Sequence, residues 1–424
     1  MDTVEYPALS EVDRPLVDRY AVGLDADAAR VLTYLRLRRE HPGTETAPAT
    51  RLEIRIGTGL SRGAVGDALD TLESLDLVTA TSVRRHESGR PPQAWTTDAS
   101  TTPRRVYERH AHRLFDRAGP DHAARPNPDG EGSDDGNRDD GEDDDDGDRE
   151  PESLTVALNW HPNALHAPLY AGSAHGHYAD GSLNVTFDPR TGSAAALDAL
   201  SAGEVDVALV GAATFVASDR EMVPLALLYE RAMAVLYTTR EAFGGPFERV
   251  RQLRDRRVGM SVGSETARLA RLLLSQVDSL DAVDIVDLDG EERDALRSGR
   301  VDAVTGQVSD PDRIDDATVD TVPVANQFPL YGPVLVTSEE TLDRHVDAVH
   351  AFLVGTMCGW ADATGDPLGA AAAVPDGEDD ERARETIEKA TEEFGFEADH
   401  GWGEHTETGW ERLRTALAHV DAQR

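Results

Sequence analysis

The spacing of apolar side chains divides the chain into a mainly helical first part, a stretch with no apolar pattern, and a long remainder in which strands alternate with helices. In residues 25–40, DADAARVLTYLRLRRE, Val31, Leu32, Leu35 and Leu37 recur at helical spacing. After a loop rich in proline and threonine, a short helix is predicted around Arg51–Ile56. Gly57-Thr58-Gly59 then turns the chain into a helix over Arg62–Leu75, capped by Ser61 and buried along Val65, Leu69, Leu72 and Leu75. Leu77–Thr81 and Pro92–Thr97 read as two strands around a polar turn, and Arg104–Arg117 as one more helix. From residue 154, strands are predicted near 154–159, 183–188, 205–210, 223–229, 256–261, 282–287, 301–304 and 334–337. Helices are predicted at about 164–176, 193–202, 265–277, 290–298, 345–363 and 405–421. Such alternation implies parallel sheets covered by helices. About 270 residues exceed what one small sheet needs, and Gly244-Gly245-Pro246 reads as a crossing between two lobes. Lobe one is expected over about 154–243 and 339–424, lobe two over about 246–336.

Charge sharpens this division. The net charge is −38, and Lys389 is the single lysine. Residues 1–124 hold 19 acidic and 17 basic residues, residues 125–153 hold 14 and 3, and residues 154–424 hold 47 and 22. The middle segment, 124–153, has no apolar side chain large enough to build a core and reads as a disordered, self-repelling linker. The alternative is an acidic arm for a basic partner. The composition resembles that of proteins from halophilic archaea, and high net charge keeps a protein in solution. One cysteine, Cys358, excludes an intramolecular disulfide and a cysteine-based metal cluster. The opening residues show no basic start, apolar core or lipid-anchoring cysteine, and no window approaches a membrane span. The expectation is a soluble cytoplasmic protein with no membrane partner.

Candidate chemistry starts at 154–171, LTVALNWHPNALHAPLYA, where a strand runs into a polar and aromatic turn and then an apolar helix. Trp160 offers a flat face to a heteroaromatic ring, and Asn159 and Asn163 offer donors and acceptors to its edge. His166 and Tyr170 lie four apart on one helical face. Gly192-Ser193 and Ser264-Glu265-Thr266 each open a helix after a strand, where free N–H groups attract polar or anionic atoms. Glu230 sits at a strand end, and Tyr331 and Gly332 are assigned to the second lobe. The plainer alternative is a core strand with a surface turn, where Trp160 only packs.

Two family resemblances rest on these residues. LSRGAVGDALDTLESLDLV (60–78) with ESGRPPQAW (87–95) resembles the winged helix-turn-helix of archaeal and bacterial transcription regulators. That resemblance implies Ser61, Arg62 and Gly63 at the start of a recognition helix, with Arg84, Arg85 and Arg90 on phosphates or in the minor groove. It covers roughly 75 residues of a domain expected over 1–123 and implies double-stranded DNA as partner, with the 104–117 helix outside the wing pairing two copies as a homodimer. A winged helix used for protein contact is its alternative.

LNWHPNALHAPLYAG (158–172), ALSAGEVDVALVG (199–211), VLYTTREAFGG (235–245), RRVGMSVGSETARL (256–269) and SGRVDAVTG (298–306) resemble the type II substrate-binding proteins of ABC importers. Within these they are closest to the branch of thiamine-pyrimidine precursor binders and fungal pyrimidine synthases. That resemblance covers 154–424 and implies a two-lobed ligand site drawing on the residues above and on Thr214. The fungal synthases carry a cysteine-rich patch where this chain reads Gln327–Gly332, and a histidine in the stretch Gly211–Phe215, which here holds Thr214. Synthesis is therefore not expected, nor is a cofactor or metal.

The fold class expected is multidomain: an α+β winged helix-turn-helix, then an α/β two-lobed periplasmic-binding-protein-like (type II) domain. The function expected is a ligand-responsive transcription regulator sensing a thiamine pyrimidine precursor. A pyrimidine-making enzyme and an importer-type binder of pyrimidines, sulfonates or nitrate are the rivals.

Overall fold

The computed structural model describes residues 8–40, 48–82, 92–118, 151–218, 220–276, 282–375 and 379–421. The N-terminal unit runs α1 (Arg14–Ala21), α2 (Ala26–Glu40), β1 (Ala49–Thr50), α3 (Arg51–Thr58), α4 (Arg62–Ser74), β2 (Thr79–Ser82), β3 (Gln93–Thr96) and α5 (Pro103–Ala118). Thr50 and Glu53 form a reciprocal capping box at the start of α3, and left-handed Gly59 ends it. Gly57 lies on the ring of Tyr34, where a Cβ would come within 2.0 Å, so only glycine lets α3 pack this closely on α2. The Ser61 hydroxyl accepts the Ala64 N–H at 3.2 Å and starts α4. Three antiparallel strands follow the order β1-β3-β2. Arg84, Arg85 and Arg90 lie outside the described residues.

The C-terminal part builds two sheets of five strands. The first comprises β4 (Glu152–Leu158), β5 (Leu183–Pro189), β6 (Val207–Gly211), β7 (Val223–Leu227) and, much later, β13 (Pro333–Thr337), in the order β5-β4-β6-β13-β7. The second comprises β8 (Ala234–Thr239), β9 (Arg257–Met260), β10 (Asp284–Asp287), β11 (Ala303–Gln307) and β12 (Val319–Pro323), in the order β10-β9-β11-β8-β12. In both sheets the fourth strand alone runs against the others. The helices between strands are α6 (Ala167–Ala174), α7 (Ser193–Ser201), α8 (Ala212–Ala217), α9 (Arg240–Phe243), α10 (Glu265–Leu274) and α11 (Glu292–Arg297). Four more close the chain: α12 (Glu339–Gly365), α13 (Pro367–Ala372), α14 (Asp380–Phe394) and α15 (Glu407–Asp421).

The lobe boundary differs from the expectation. Strand β8 already belongs to the second sheet and β13 to the first, so the chain crosses at 228–233 and returns at 324–332. Gly244 instead caps α9 in a left-handed conformation. The two crossings are tied together, since the Arg231 guanidinium donates to the Ala325 carbonyl at 2.9 Å and Arg231 bridges Tyr331. Helix α15 packs on α8 of the first lobe and α10 of the second.

A second difference concerns α5. Its apolar face, Val106, Tyr107, Ala111, Leu114 and Phe115, is buried against α12 and β7 of the first lobe. Backbone bonds seal the seam, with Ala26 N–H to the Ala398 carbonyl and Trp402 N–H to the Val22 carbonyl, each 2.8 Å. His110, fully buried, donates Nε2–H to the Trp402 carbonyl at 2.7 Å. The expected use of this helix to pair two copies is corrected: its apolar face is buried inside the chain and so is not offered to a second one.

Candidate functional site

The C-terminal ends of β4, β5 and β6 share one edge of the first sheet, because these strands are mutually parallel. In open α/β sheets this is the edge where ligands bind. After β4, Asn159 is half-buried, and the buried His166 points Nε2 at its Oδ1, 3.0 Å away. Burial lowers the imidazole's pKa to about 4, so His166 is neutral near neutrality and donates from Nε2. That bond fixes the Asn159 amide by its oxygen. Trp160 stands 51 % exposed with its ring edge-on to His161.

Asn163 serves a different purpose. Its Nδ2 donates to the His161 carbonyl at 2.8 Å and its Oδ1 accepts the Leu165 N–H at 2.9 Å. One donor and one acceptor of Asn163 thus hold the turn, whereas the Asn159 amide is fixed by its oxygen alone. Tyr170 is buried with its ring tilted on Phe187, and burial lifts its hydroxyl pKa to about 12. Gly192, at φ +110, lets the chain enter α7, and the Ser193 hydroxyl accepts the Gly211 N–H at 2.9 Å.

Across from these residues, Ser264 caps α10, accepting the Ala267 N–H at 3.1 Å, and its hydroxyl meets that of Thr266 at 3.0 Å. Glu265, the first residue of that helix, reaches out of the second lobe into the first. Its carboxylate accepts the N–H groups of Ala213 (3.0 Å) and Thr214 (2.7 Å) and the Thr214 hydroxyl (2.6 Å). Burial still holds its pKa above the ordinary glutamate value despite those three bonds. Gly211 is the necessary neighbour, since a Cβ there would stand 2.2 Å from the Glu265 carboxyl carbon. The start of α8 therefore holds a carboxylate from the chain itself.

Glu230, Tyr331 and Gly332 form another group. The Glu230 carboxylate accepts the Glu397 N–H at 2.9 Å and meets His400 Nδ1 at 2.8 Å. The Tyr331 hydroxyl accepts the Thr406 N–H at 2.9 Å, and its ring packs on Trp410. Gly332 lies under the carbonyls of Tyr229 and Arg231, too close for any Cβ. These three brace the lobe crossings, and the polar ends of Glu230 and Tyr331 are bound to the 397–406 segment. In the N-terminal unit, Ser61, Arg62 and Gly63 are exposed at the start of α4, and Asp67 and Asp70 are exposed further along it.

Sequence reading missed the reach of Glu265 into the other lobe and the role of the 394–403 segment. Phe394 and Gly403 accept backbone bonds from Arg231 and Leu227 beside the first crossing. Ala398 and Trp402 in the same segment hold the N-terminal unit. No pattern of residue types announced either feature, because both depend on contacts between distant parts of the chain.

Residues 163–370 match the family model described as NMT1/THI5 like. No curated protein matches the chain. Among solved structures, the periplasmic aliphatic sulphonate binding protein SsuA from Escherichia coli shares 14 % identity at a TM-score of 0.52, covering 64 % of this chain and 93 % of its own. A protein from Bordetella bronchiseptica RB50 shares 21 % at 0.51, covering 63 % and 89 %. A Candida albicans gene product, described as defining a family with the generic periplasmic binding protein fold, shares 18 % at 0.50, covering 64 % and 90 %. The C-terminal part of the chain is a two-lobed α/β domain of the periplasmic-binding-protein fold.

Proposed function

We propose that the two lobes close on a neutral or cationic heteroaromatic solute of the thiamine-pyrimidine class, and that the N-terminal unit reads double-stranded DNA in response. The observation that carries the ligand choice is Glu265. The N–H groups and hydroxyl that begin α8 would suit an anion such as a sulfonate, and they already hold a carboxylate. An aminopyrimidine carries an exocyclic amine, and a ring nitrogen when protonated, that donate to a carboxylate, with Trp160 to stack on and Asn159 to meet its edge. The net charge of −38 disfavours an anion for the same reason.

The DNA-reading part draws support from the helix order, with Ser61-Arg62-Gly63 at the exposed start of α4, and from the seam. A hinge change at 228–233 pulls on Glu230, whose partners in the 397–400 segment adjoin the residues that grip the N-terminal unit. Differential ligand contacts in open and closed lobes then bias the head. Thermal melts of the full chain with 4-amino-2-methylpyrimidine derivatives, taurine and nitrate test the ligand. A shift with the pyrimidines alone is expected; a shift with taurine or nitrate alone overturns it. A genomic footprint with and without the pyrimidine tests the head, and Arg62→Glu should abolish it.

A second reading, a solute binder serving an importer, is favoured by the fold of the matching structures. A footprint absent under all conditions, with ligand binding intact, would select it.

A further inference from the structure

Two histidines and an aspartate meet on the far side of α6 from the edge residues, where no expectation had placed chemistry. Helix α6 ends at Ala174, with His175 as its C-cap, and left-handed Gly176 (φ +78) reverses the chain before His177. The reversal turns both imidazoles toward Asp362 on α12. His175 Nδ1 lies 2.7 Å and His177 Nε2 2.6 Å from the same carboxylate oxygen, Oδ2. The two rings stand edge to face, 6.0 Å apart. Glycines bring the helices close enough for this meeting: a Cβ at Gly359 would stand 2.0 Å from the Pro168 carbonyl, and one at Gly355 2.4 Å from the Tyr178 ring.

We propose that His175, His177 and Asp362 form a binding site for a zinc-class divalent metal ion. Two imidazoles and one carboxylate are a donor set for borderline first-row metals, and three protein ligands leave a fourth position to water. All three ligand atoms lie within 4.8 Å of one another. Donors around a tetrahedral zinc stand about 3.4 Å apart, so the ion enters after side-chain shifts of under about 1 Å. The site also lies on the seam. Arg19 of α1 comes within 3.9 Å of the other Asp362 oxygen, and Arg104 of α5 donates to the His177 carbonyl at 3.4 Å. A bound ion would thus stiffen the part of the first lobe on which the N-terminal unit rests.

The test uses the full chain, stripped with a chelator and kept in concentrated KCl so that diffuse attraction to the −38 charge is screened. Titration calorimetry with Zn2+ alone should find one saturable site, and Co2+ alone should give the visible absorption of a nitrogen-ligated ion. The double substitution His175→Gln with His177→Gln should weaken Zn2+ at least tenfold, while His161→Gln leaves it unchanged. In the unaltered protein, one equivalent of Zn2+ should protect His175 and His177 from diethyl pyrocarbonate, mapped by mass spectrometry. No saturable site, undiminished affinity in the double variant, or equal labelling of both histidines with and without Zn2+ would each overturn the proposal.

Discussion

The two sides of the inter-lobe edge have opposite chemistry. Around Asn159 the first lobe presents an exposed indole and an amide held by one buried, neutral imidazole. Around Gly211–Thr214 the same lobe presents N–H groups that the second lobe has already filled with the Glu265 carboxylate. One side keeps groups for a flat ring, and the other spends its anion-binding capacity inside the protein. Fold likeness to sulphonate binders therefore does not carry their ligand across, because ligand choice lies in the side chains at the site and not in the fold.

The largest effect expected on this contrast is its response to acid. His166 titrates near 4 in the folded chain against about 6.5 when unfolded. Between these values the unfolded chain binds more protons, so stability is lost as pH falls from about 6.5 toward 4 and levels off below. The full difference is on the order of 3 kcal/mol. Glu265 works with the opposite sign, since its raised pKa makes folding bind a proton above the ordinary glutamate range. Burial lowers the pKa of His350 to about 4 as well, so urea melts from pH 4 to 7 should give a rising limb shared by the two histidines that His166→Gln makes about half as steep. An unchanged limb in that variant would remove His166 as a source.

Next in size is Glu265→Ala. It leaves the Ala213 and Thr214 N–H groups and the Thr214 hydroxyl without their acceptor, a loss of about 1–3 kcal/mol for unsatisfied buried donors. It also empties the place an anion would take. The variant should melt lower than the unaltered chain and, unlike it, gain stability from millimolar alkanesulfonate. An equal sulfonate response in both proteins would break the contrast.

How much of this was legible beforehand depended on the range of the contacts. The helices α2 to α5 and the strand at 152–158 were readable because periodicity and capping are local, as with Ser61 and the Gly57–Gly59 turn. Strand β8 was not, since its residues 234–239 are all buried and show no alternation to detect. Without it the crossing was assigned to Gly244, whose turn chemistry is equally suited to ending α9. At the candidate site, residue types singled out Trp160 and Asn159, which stand just after the C-terminal end of β4. The brace formed by Glu230 and the reach of Glu265 follow from partners 170 and 52 residues away, whereas the cap formed by Asn163 is as local as that of Ser61. The burial of α5 was hidden for the same reason: an apolar helical face announces that it will be covered, never by what.

The smallest effect on stability should come from Trp160→Ala, and it separates the two sides most directly. A side chain 51 % exposed contributes little to folding, so the melt should move by less than about 0.5 kcal/mol. Ring stacking contributes on the order of 1 kcal/mol, so affinity for an aminopyrimidine should fall about fivefold. A small change in both quantities would return Trp160 to a surface turn that merely packs. A large loss of stability would mean that the indole is buried in solution, contrary to the exposure on which its ligand-facing role depends. Only the split result, folding intact and binding weakened, keeps the open side of the edge as the one that meets the ring.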